Sequence, residues 1–597
     1  MFSWVTEYIN ISYHIMLKTK KYLLVITIFI SVNTLFAENF PQHDNYTSLW
    51  IKNKIKHMSL EEKIGQLFIV YMYGKTPLDK DYEEKNLQAN RGAKNFKEVI
   101  EKYHIGGVIY FNWTDNVGIP LDASQVNALS NGLQEIAMLQ PVPIPLFISI
   151  DQEGGIVSRI TEPASVFPGN MALGATRSTY FAEQSAKIMG EELRSLGINT
   201  NFAPVLDVNI NPDNPVIGVR SYSEDPDLVS QLGIAQIKGY SDAGIMSTAK
   251  HFPGHGDTDV DSHYGLPIIV HDLETLLAVD IKPFKAAIDA GVSSIMTAHI
   301  VVPALDNSGL PATLSRPILT DFLRGELGFN GLIITDSLDM SGANVLPAEK
   351  IPVEAFKAGA DILLNPPNVD LAYTAMLNAV QRGEITKKRL NDSIYRILKA
   401  KMRQALFDNP YTDSSEIAII GNKDNLLQAE TMTNDSITLI KNDNSALPIE
   451  DNTKLLITGP NSEKLMLLSN LLKEKGIKVN SYITDLNPTQ EQINTAVNHA
   501  NNIEKIIVTT YNAKTNIAQQ YLINALYNTN KPIIVVALRN PYDIAAFPYI
   551  DAYLTTYGDQ DISIKALAAV LTGEIRPKGI LPVSIPPLYK LGDRLAY

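Results

Sequence analysis

One stretch concentrates groups that move protons: Lys250-His251-Phe252-Pro253-Gly254-His255-Gly256-Asp257-Thr258-Asp259-Val260-Asp261-Ser262-His263. The chain has ten His, and three of them fall between positions 251 and 263. Imidazoles donate and accept protons near neutrality, and neighbouring carboxylates orient them. Gly254 and Gly256 allow sharp turns between these groups. Two chemistries fit: acid/base catalysis, or metal binding by His251, His255, His263 and the nearby Asp residues. Their spacing matches no common zinc signature and no His-Glu-x-x-His pair occurs, so metal stays the competing reading.

Two further segments end an apolar run on acids. Ile333-Ile334-Thr335-Asp336 places a carboxylate where a strand would stop, a rigid position suited to a nucleophile attacking an anomeric carbon. Asp339 is the alternative, three residues further into the expected loop. Ile148-Ser149-Ile150-Asp151-Gln152-Glu153-Gly154-Gly155 repeats the pattern. Asp151 and Glu153 suit sugar hydroxyls, or simply cap a loop.

Such positions need a scaffold that brings strand ends together. Between about 60 and 410, short runs rich in Val, Ile and Phe alternate with stretches of helical period. Strands are expected at Ile64–Met72, Gly107–Phe111, Pro145–Asp151, Thr200–Val208, Met246–Phe252, Ser294–Ile300, Leu332–Ser337 and Asp361–Leu364. Helices are expected over Ser178–Leu196, Asp272–Ala290, Leu371–Arg382 and Lys387–Phe407. The pattern predicts an α/β fold, a TIM-type (β/α)8 barrel with its site at the C-terminal strand ends. An open doubly wound sheet is the alternative, but no phosphate-binding glycine fingerprint follows the first strand. A turn-rich segment, Asp408 to Asp413, marks a boundary, giving a barrel over 38–410 and a second α/β domain over 411–597. Apolar runs at Lys454–Thr458, Lys505–Thr510, Ile533–Leu538 and Ala552–Thr556 supply its strands. No acid cluster there rivals those of the barrel, so it is expected to contribute no catalytic group.

Composition narrows the partners. The 45% apolar and 19% charged content suits a globular chain, and a net charge of −13 without a basic run argues against nucleic acid. With no cysteine, disulfides, thiolate metal sites and a cysteine nucleophile are excluded. Lys18, Lys20 and Lys21 precede the apolar run Tyr22 to Val32, and Ala37 precedes Glu38. This reads as a signal peptide over 1–37, with Met16 as a more ordinary start, and predicts a periplasmic or secreted protein. An uncleaved anchor in the inner membrane is the alternative. The run is shorter than the roughly 20 residues that span a bilayer, and no stable span is expected after cleavage.

Taken in order, these segments resemble glycoside hydrolase family 3, in its bacterial β-N-acetylglucosaminidase branch. The resemblance rests on Lys250 to His263 with Tyr264-Gly265-Leu266-Pro267, and on Ser149 to Gly155. It extends to Asn201-Phe202-Ala203-Pro204-Val205-Leu206-Asp207-Val208, Gly218-Val219-Arg220-Ser221-Tyr222 and Ile334-Thr335-Asp336. Thr438 to Asn442, Leu447-Pro448, Leu538-Arg539-Asn540-Pro541-Tyr542-Asp543 and Gly579-Ile580-Leu581-Pro582-Val583 resemble the added C-terminal α/β sandwich domain of two-domain members, which implies that fold for 411–597. Ile156 departs from the pattern, standing where many members carry Arg, which removes an expected salt bridge behind the site.

The resemblance implies roles. Asp336 is the nucleophile, His263 the acid/base and Asp261 its dyad partner; Asp151, Arg220, Lys250 and His251 hold the N-acetylglucosamine unit. It implies a retaining exo-β-N-acetylglucosaminidase, acting through a covalent glycosyl-enzyme on peptidoglycan-derived or chitin-derived oligosaccharides, with no cofactor and no metal. A β-glucosidase, a glycoside phosphorylase, a metal-dependent hydrolase using the 251–263 loop and a carbohydrate-binding protein on an inactive barrel are the alternatives.

Overall fold

The computed structural model describes residues 41–597, with side chains from residue 47. The export signal expected over 1–37, with its alternative start at Met16, lies outside the described residues. A helix, Pro41–His57, belongs to a first unit, and residues 58–597 form one compact unit. Among the described residues no helix is long and apolar enough to cross a membrane.

The compact unit opens with a capping box, in which Ser59 Oγ accepts from the Glu62 N–H at 3.1 Å and Glu62 accepts from the Ser59 N–H at 2.7 Å. The helix Leu60–Gly65 that follows absorbs the first residues of the expected strand at 64–72. Eight parallel strands come next: β1 Phe68–Val70, β2 Gly107–Tyr110, β3 Phe147–Ile150, β4 Thr200–Asn201, β5 Met246–Phe252, β6 Ser294–Thr297, β7 Leu332–Thr335 and β8 Leu363–Leu364. Their order is β7-β6-β5-β4-β3-β2-β1-β8. A parallel bridge from Ile334 to Ile362, with the Thr335 N–H donating to Ile362 O at 3.0 Å, closes the ring. The strands are buried along their length, which explains their continuous apolar runs.

Most strands are shorter than expected. After Asn201 the Phe202 N–H still donates to Ile150 O at 2.9 Å, but Pro204 has no N–H to offer a ladder, so regular pairing of β4 stops. The helix expected over Asp272–Ala290 is two helices, Leu273–Ala278 and Lys282–Asp289. Pro283 lacks the N–H that would continue the first helix, and the residue at the break, Asp280, turns inward.

A six-stranded sheet forms the second layer system: β9 Thr438–Asn442, β10 Lys454–Gly459, β11 Lys478–Ile483, β12 Lys505–Thr510, β13 Ile533–Ala537 and β14 Ala552–Thr555. Its order is β11-β10-β12-β13-β14-β9, parallel except where β9 runs antiparallel to β14. Apolar periodicity located the four central strands and not the edge strands β9 and β11, whose residues are more polar or exposed. Alternation splits the sheet's side chains between two cores. Ile507, Ile534 and Val536 face Leu465, Leu468 and Leu567. Ile506, Val508 and Val535 share a cluster with Met171, Ala172 and Val219 of the barrel. Ile156 packs against this second cluster, so the residue that departs from the family pattern fills an apolar seam between barrel and sheet.

Candidate active site

The loops after β3, β4, β5 and β7 converge on one face of the barrel. Lys250 and His251 lie within β5, joined by a cis peptide bond. Lys250 Nζ donates to Asp151 Oδ1 at 2.7 Å and reaches Glu153 Oε1 at 2.8 Å. Arg220, from the turn Gly218–Arg220, grips Glu153 through Nε at 2.9 Å and Nη2 at 2.8 Å. Burial would raise the Glu153 carboxyl, but the two cations hold it well below the carboxylate range. Burial would likewise lower Lys250, and Asp151 and Glu153 hold it above its ordinary value. Glu153, expected as a carboxylate open to sugar hydroxyls, is instead a buried strut that fixes two cations. Asp151 stays partly exposed.

His251 is fixed from behind. Its Nδ1 lies 2.7 Å from Asp207 Oδ2, and the Asp207 carboxylate also accepts the backbone N–H groups of His251 and His255 at 3.1 and 2.8 Å. Burial opposes ionisation of Asp207, yet the His251 contact keeps its pKa below the ordinary value. A carboxylate only accepts, so His251 Nδ1 carries the hydrogen and Nε2 is left facing Arg220 Nη2 at 3.4 Å.

The remaining part of the loop carries the dyad. His263 Nδ1 and the His263 N–H both contact Asp261 Oδ1, at 2.7 and 2.9 Å, and the ring is half exposed. His255 is buried: Thr258 Oγ1 lies 2.6 Å from its Nδ1 and Ser262 Oγ 3.0 Å from its Nε2. Burial pushes its pKa down to about 4, so near neutrality it is an uncharged pin for Ser262, the residue between Asp261 and His263. A second pin runs from Asp257 to His271 at 2.9 Å and on to the buried Asp280 at 2.8 Å. Gly256 has a further reason to be glycine: a Cβ there would meet Val208 O at 1.7 Å.

Asp336 stands one residue beyond β7, where its own Oδ1 accepts the Ser337 N–H at 2.7 Å. Burial works to raise this carboxyl, but His251, His299, the Ser337 N–H and His263 together hold it below its ordinary value, in the ionised form a nucleophile needs. The dyad loop is tied to the loop after Asp336, because the Ser341 N–H donates to His263 O at 3.3 Å and the Gly342 N–H to Ser262 O at 3.0 Å. Asp339 is exposed and bonded to Ser337 Oγ at 2.8 Å, in the loop as expected.

The structure thus brings together Asp151, Arg220, Lys250, His251 and Asp336, with Asp261 and His263 on an anchored loop at the rim. The three loop imidazoles take separate partners, Asp207, Thr258 with Ser262, and Asp261. No group of three or more His, Cys, Asp or Glu residues suited to a metal ion occurs among the described residues. Sequence reasoning missed Asp207 and His299 as members. His299, two residues past the end of β6, bonds Ser337 O at 3.0 Å and Thr313 Oγ1 at 2.8 Å. Both could have been found by asking of every strand end what was asked of Asp151 and Asp336.

Residues 59–400 match the profile described as glycosyl hydrolase family 3 N terminal domain, and residues 437–593 match the glycosyl hydrolase family 3 C-terminal domain. A beta-hexosaminidase A of Pseudoalteromonas piscicida is 35% identical over 552 residues, covering 82% of this chain and 90% of that protein. A beta-N-acetylglucosaminidase/beta-glucosidase of Cellulomonas fimi is 28% identical over 571 residues, covering 89% and 95%. Among solved structures, a glycoside hydrolase family 3 beta-N-acetylglucosaminidase of a Paenibacillus species superposes with a TM-score of 0.80 at 36% identity, covering 88% of this chain and 99% of that one.

Proposed function

This chain belongs to glycoside hydrolase family 3, and we propose that it is a retaining exo-β-N-acetylglucosaminidase releasing terminal N-acetylglucosamine from peptidoglycan-derived or chitin-derived oligosaccharides. The observation that carries the reading is the Asp261–His263 pair, held by the Ser341 N–H beside the loop of Asp336. A carboxylate and an imidazole in this relation supply the two functions that double displacement requires.

Asp336 attacks the anomeric carbon while His263 protonates the departing oxygen; water, deprotonated by the now neutral imidazole, then releases the sugar from Asp336. An imidazole suits that second role because its ordinary pKa, about 6.5, lies near neutrality without the tuning a carboxyl acid needs. Asp261 orients the ring through Nδ1 and leaves Nε2 for the substrate. Asp151 accepts from sugar hydroxyls, and Lys250 and Arg220 donate what remains of their hydrogens after Asp151 and Glu153 are served. His251 presents Nε2 from its Asp207 mount.

The lysine-led apolar run Tyr22–Val32 supports export, with maturation near Glu38, so the substrate is met in the periplasm or outside the cell. The catalytic domain then spans 38–410 and the C-terminal domain 411–597. Assaying the purified protein on 4-nitrophenyl β-glycosides of N-acetylglucosamine and of glucose, with and without phosphate, tests the activity. Turnover of the acetylated glycoside to free N-acetylglucosamine is expected. A preference for glucose, or release of a sugar phosphate, would refute it.

A further inference from the structure

A second group of unusual residues lies on the same barrel face, away from the dyad. Tyr71 and Phe111 are the first residues past β1 and β2, and both are almost fully buried. Trp113, in the turn after Phe111, is 51% exposed. Its ring stacks on Phe111 with centroids 4.8 Å apart and planes 23° apart, and meets Tyr71 nearly edge-on, also at 4.8 Å. A large indole is therefore held rigidly on one side and left in solvent on the other. An exposed, aromatic-backed ring is a costly surface unless something covers it.

This platform is joined to the substrate site. Asn112, beside Trp113, donates through Nδ2 to Arg159 O at 2.7 Å, and the Arg159 N–H donates to Gln152 Oε1 at 2.7 Å. Gln152 directly follows Asp151. On the other flank, the Tyr71 N–H donates to Asn365 Oδ1 at 3.0 Å, just past β8, the neighbour of the strand that carries Asp336.

Arg159 adds a charge without a partner. Its guanidinium lies 5.7 Å from the Phe111 ring centre, its Nε is buried with no acceptor, and it forms no ion pair among the described residues. The side chain as a whole is partly exposed and no carboxylate pairs with it, so its outer guanidinium nitrogens are open to an anion supplied from outside.

We propose that Trp113 and Arg159 form a second saccharide subsite that takes a pyranose carrying a carboxylate, the flat C–H face on the indole and the carboxylate on the guanidinium. The proposal deepens the N-acetylglucosaminidase reading and rests on it. A pyranose has an apolar axial face and polar edges, which is the complement of an aromatic plate bordered by a cation.

The test compares three substrates with one and the same terminal sugar: 4-nitrophenyl β-N-acetylglucosaminide, N,N′-diacetylchitobiose, and N-acetylglucosamine linked β-1,4 to N-acetylmuramic acid with its lactyl carboxylate free. Trp113→Ala should raise KM roughly tenfold on both disaccharides, the size of one lost aromatic contact with its buried area, and leave the nitrophenyl glycoside unchanged. Trp113→Phe should restore most of the loss. Arg159→Gln should raise KM on the order of tenfold on the acidic disaccharide alone, as for one charge-assisted hydrogen bond. Variants indistinguishable from wild type on both disaccharides, or equally impaired on the nitrophenyl glycoside, would overturn the subsite while leaving the activity standing. An Arg159→Gln effect that is the same on chitobiose would overturn the carboxylate assignment. A wild-type protein inactive on all three would instead overturn the underlying activity, and the subsite with it.

Discussion

The backbone N–H of Val219 donates to Oδ1 of Asn540 at 3.2 Å, so a side chain of the second domain holds the turn that presents Arg220. Gly218 makes the approach possible: its φ is +45°, and a Cβ there would meet Asn540 Oδ1 at 2.5 Å. Nearby, Asn209 Nδ2 donates to Tyr542 Oη at 2.9 Å. The second domain thus reaches the turn that carries Arg220 through an amide and a phenol. Asn540→Leu removes the acceptor and should lower kcat/KM by roughly tenfold or more, since an orphaned buried N–H costs about 1–3 kcal/mol. Steady-state kinetics on the nitrophenyl glycoside check this, with unchanged kcat/KM as the refuting result.

Asp336 and His263 divide the proposed reaction unequally. Asp336→Ala should abolish turnover of every substrate, because both steps pass through its ester. His263→Ala should spare the first step on an activated aryl glycoside and slow a disaccharide by about 10²–10⁴-fold. With deglycosylation deprived of its base, an Asp336 adduct should appear by intact mass and azide should speed its release. Equal loss on both substrate types, with no adduct and no azide effect, would place the proton donor elsewhere.

His255 makes stability depend on pH with a definite sign. Buried between Thr258 and Ser262, it refuses a proton until about pH 4, whereas an unfolded His accepts one near pH 6.5. Between these values the unfolded state binds more protons, so the contribution is fully present above pH 6.5 and is lost as pH falls toward 4. The loss is about 3 kcal/mol at the lower end. Denaturant unfolding of wild type and His255→Gln at pH 7.5 and 4.5 should show a smaller acid-induced loss in the variant. Parallel losses would mean the imidazole is not buried neutral.

Glu153 is predicted to matter for folding as much as for activity. Glu153→Gln leaves Arg220 and Lys250 without a shared counter-charge, and breaking a buried ion pair from one side commonly costs about 3–5 kcal/mol. A lowered Tm together with a raised KM is expected. A variant as stable as wild type, with unchanged KM, would show that Asp151 alone can hold Lys250.

The proposed export would leave a mark on the chain. The purified native protein should begin at or near Glu38 in N-terminal sequencing, and an intact 1–37 segment on cytoplasmic material would contradict the proposal.

The barrel and the chemical core of the site were legible in the sequence because both are written locally. A strand that ends on Asp336 or Asp151 shows its apolar run and its acid within a few positions, and Asp261 and His263 are two residues apart. The central strands of the second sheet announce themselves in the same way. What those residues touch was not legible. Glu153 looked as available as Asp151 until Arg220 and Lys250, 67 and 97 positions away, closed over it. The helix expected at Asp272–Ala290 breaks where Pro283 withholds an N–H and Asp280 turns in to meet His271. Asn540 reaches Val219 across 321 positions, and Arg159, from the loop after β3, meets Phe111 and Asn112 in the loop after β2, where Trp113 stands. Local spacing sets which face or tip a side chain occupies, because backbone periodicity is a short-range property. Whether a charge there is free or already neutralised depends on which distant strand ends the closed barrel brings within 3 Å, and that is decided only when the chain packs.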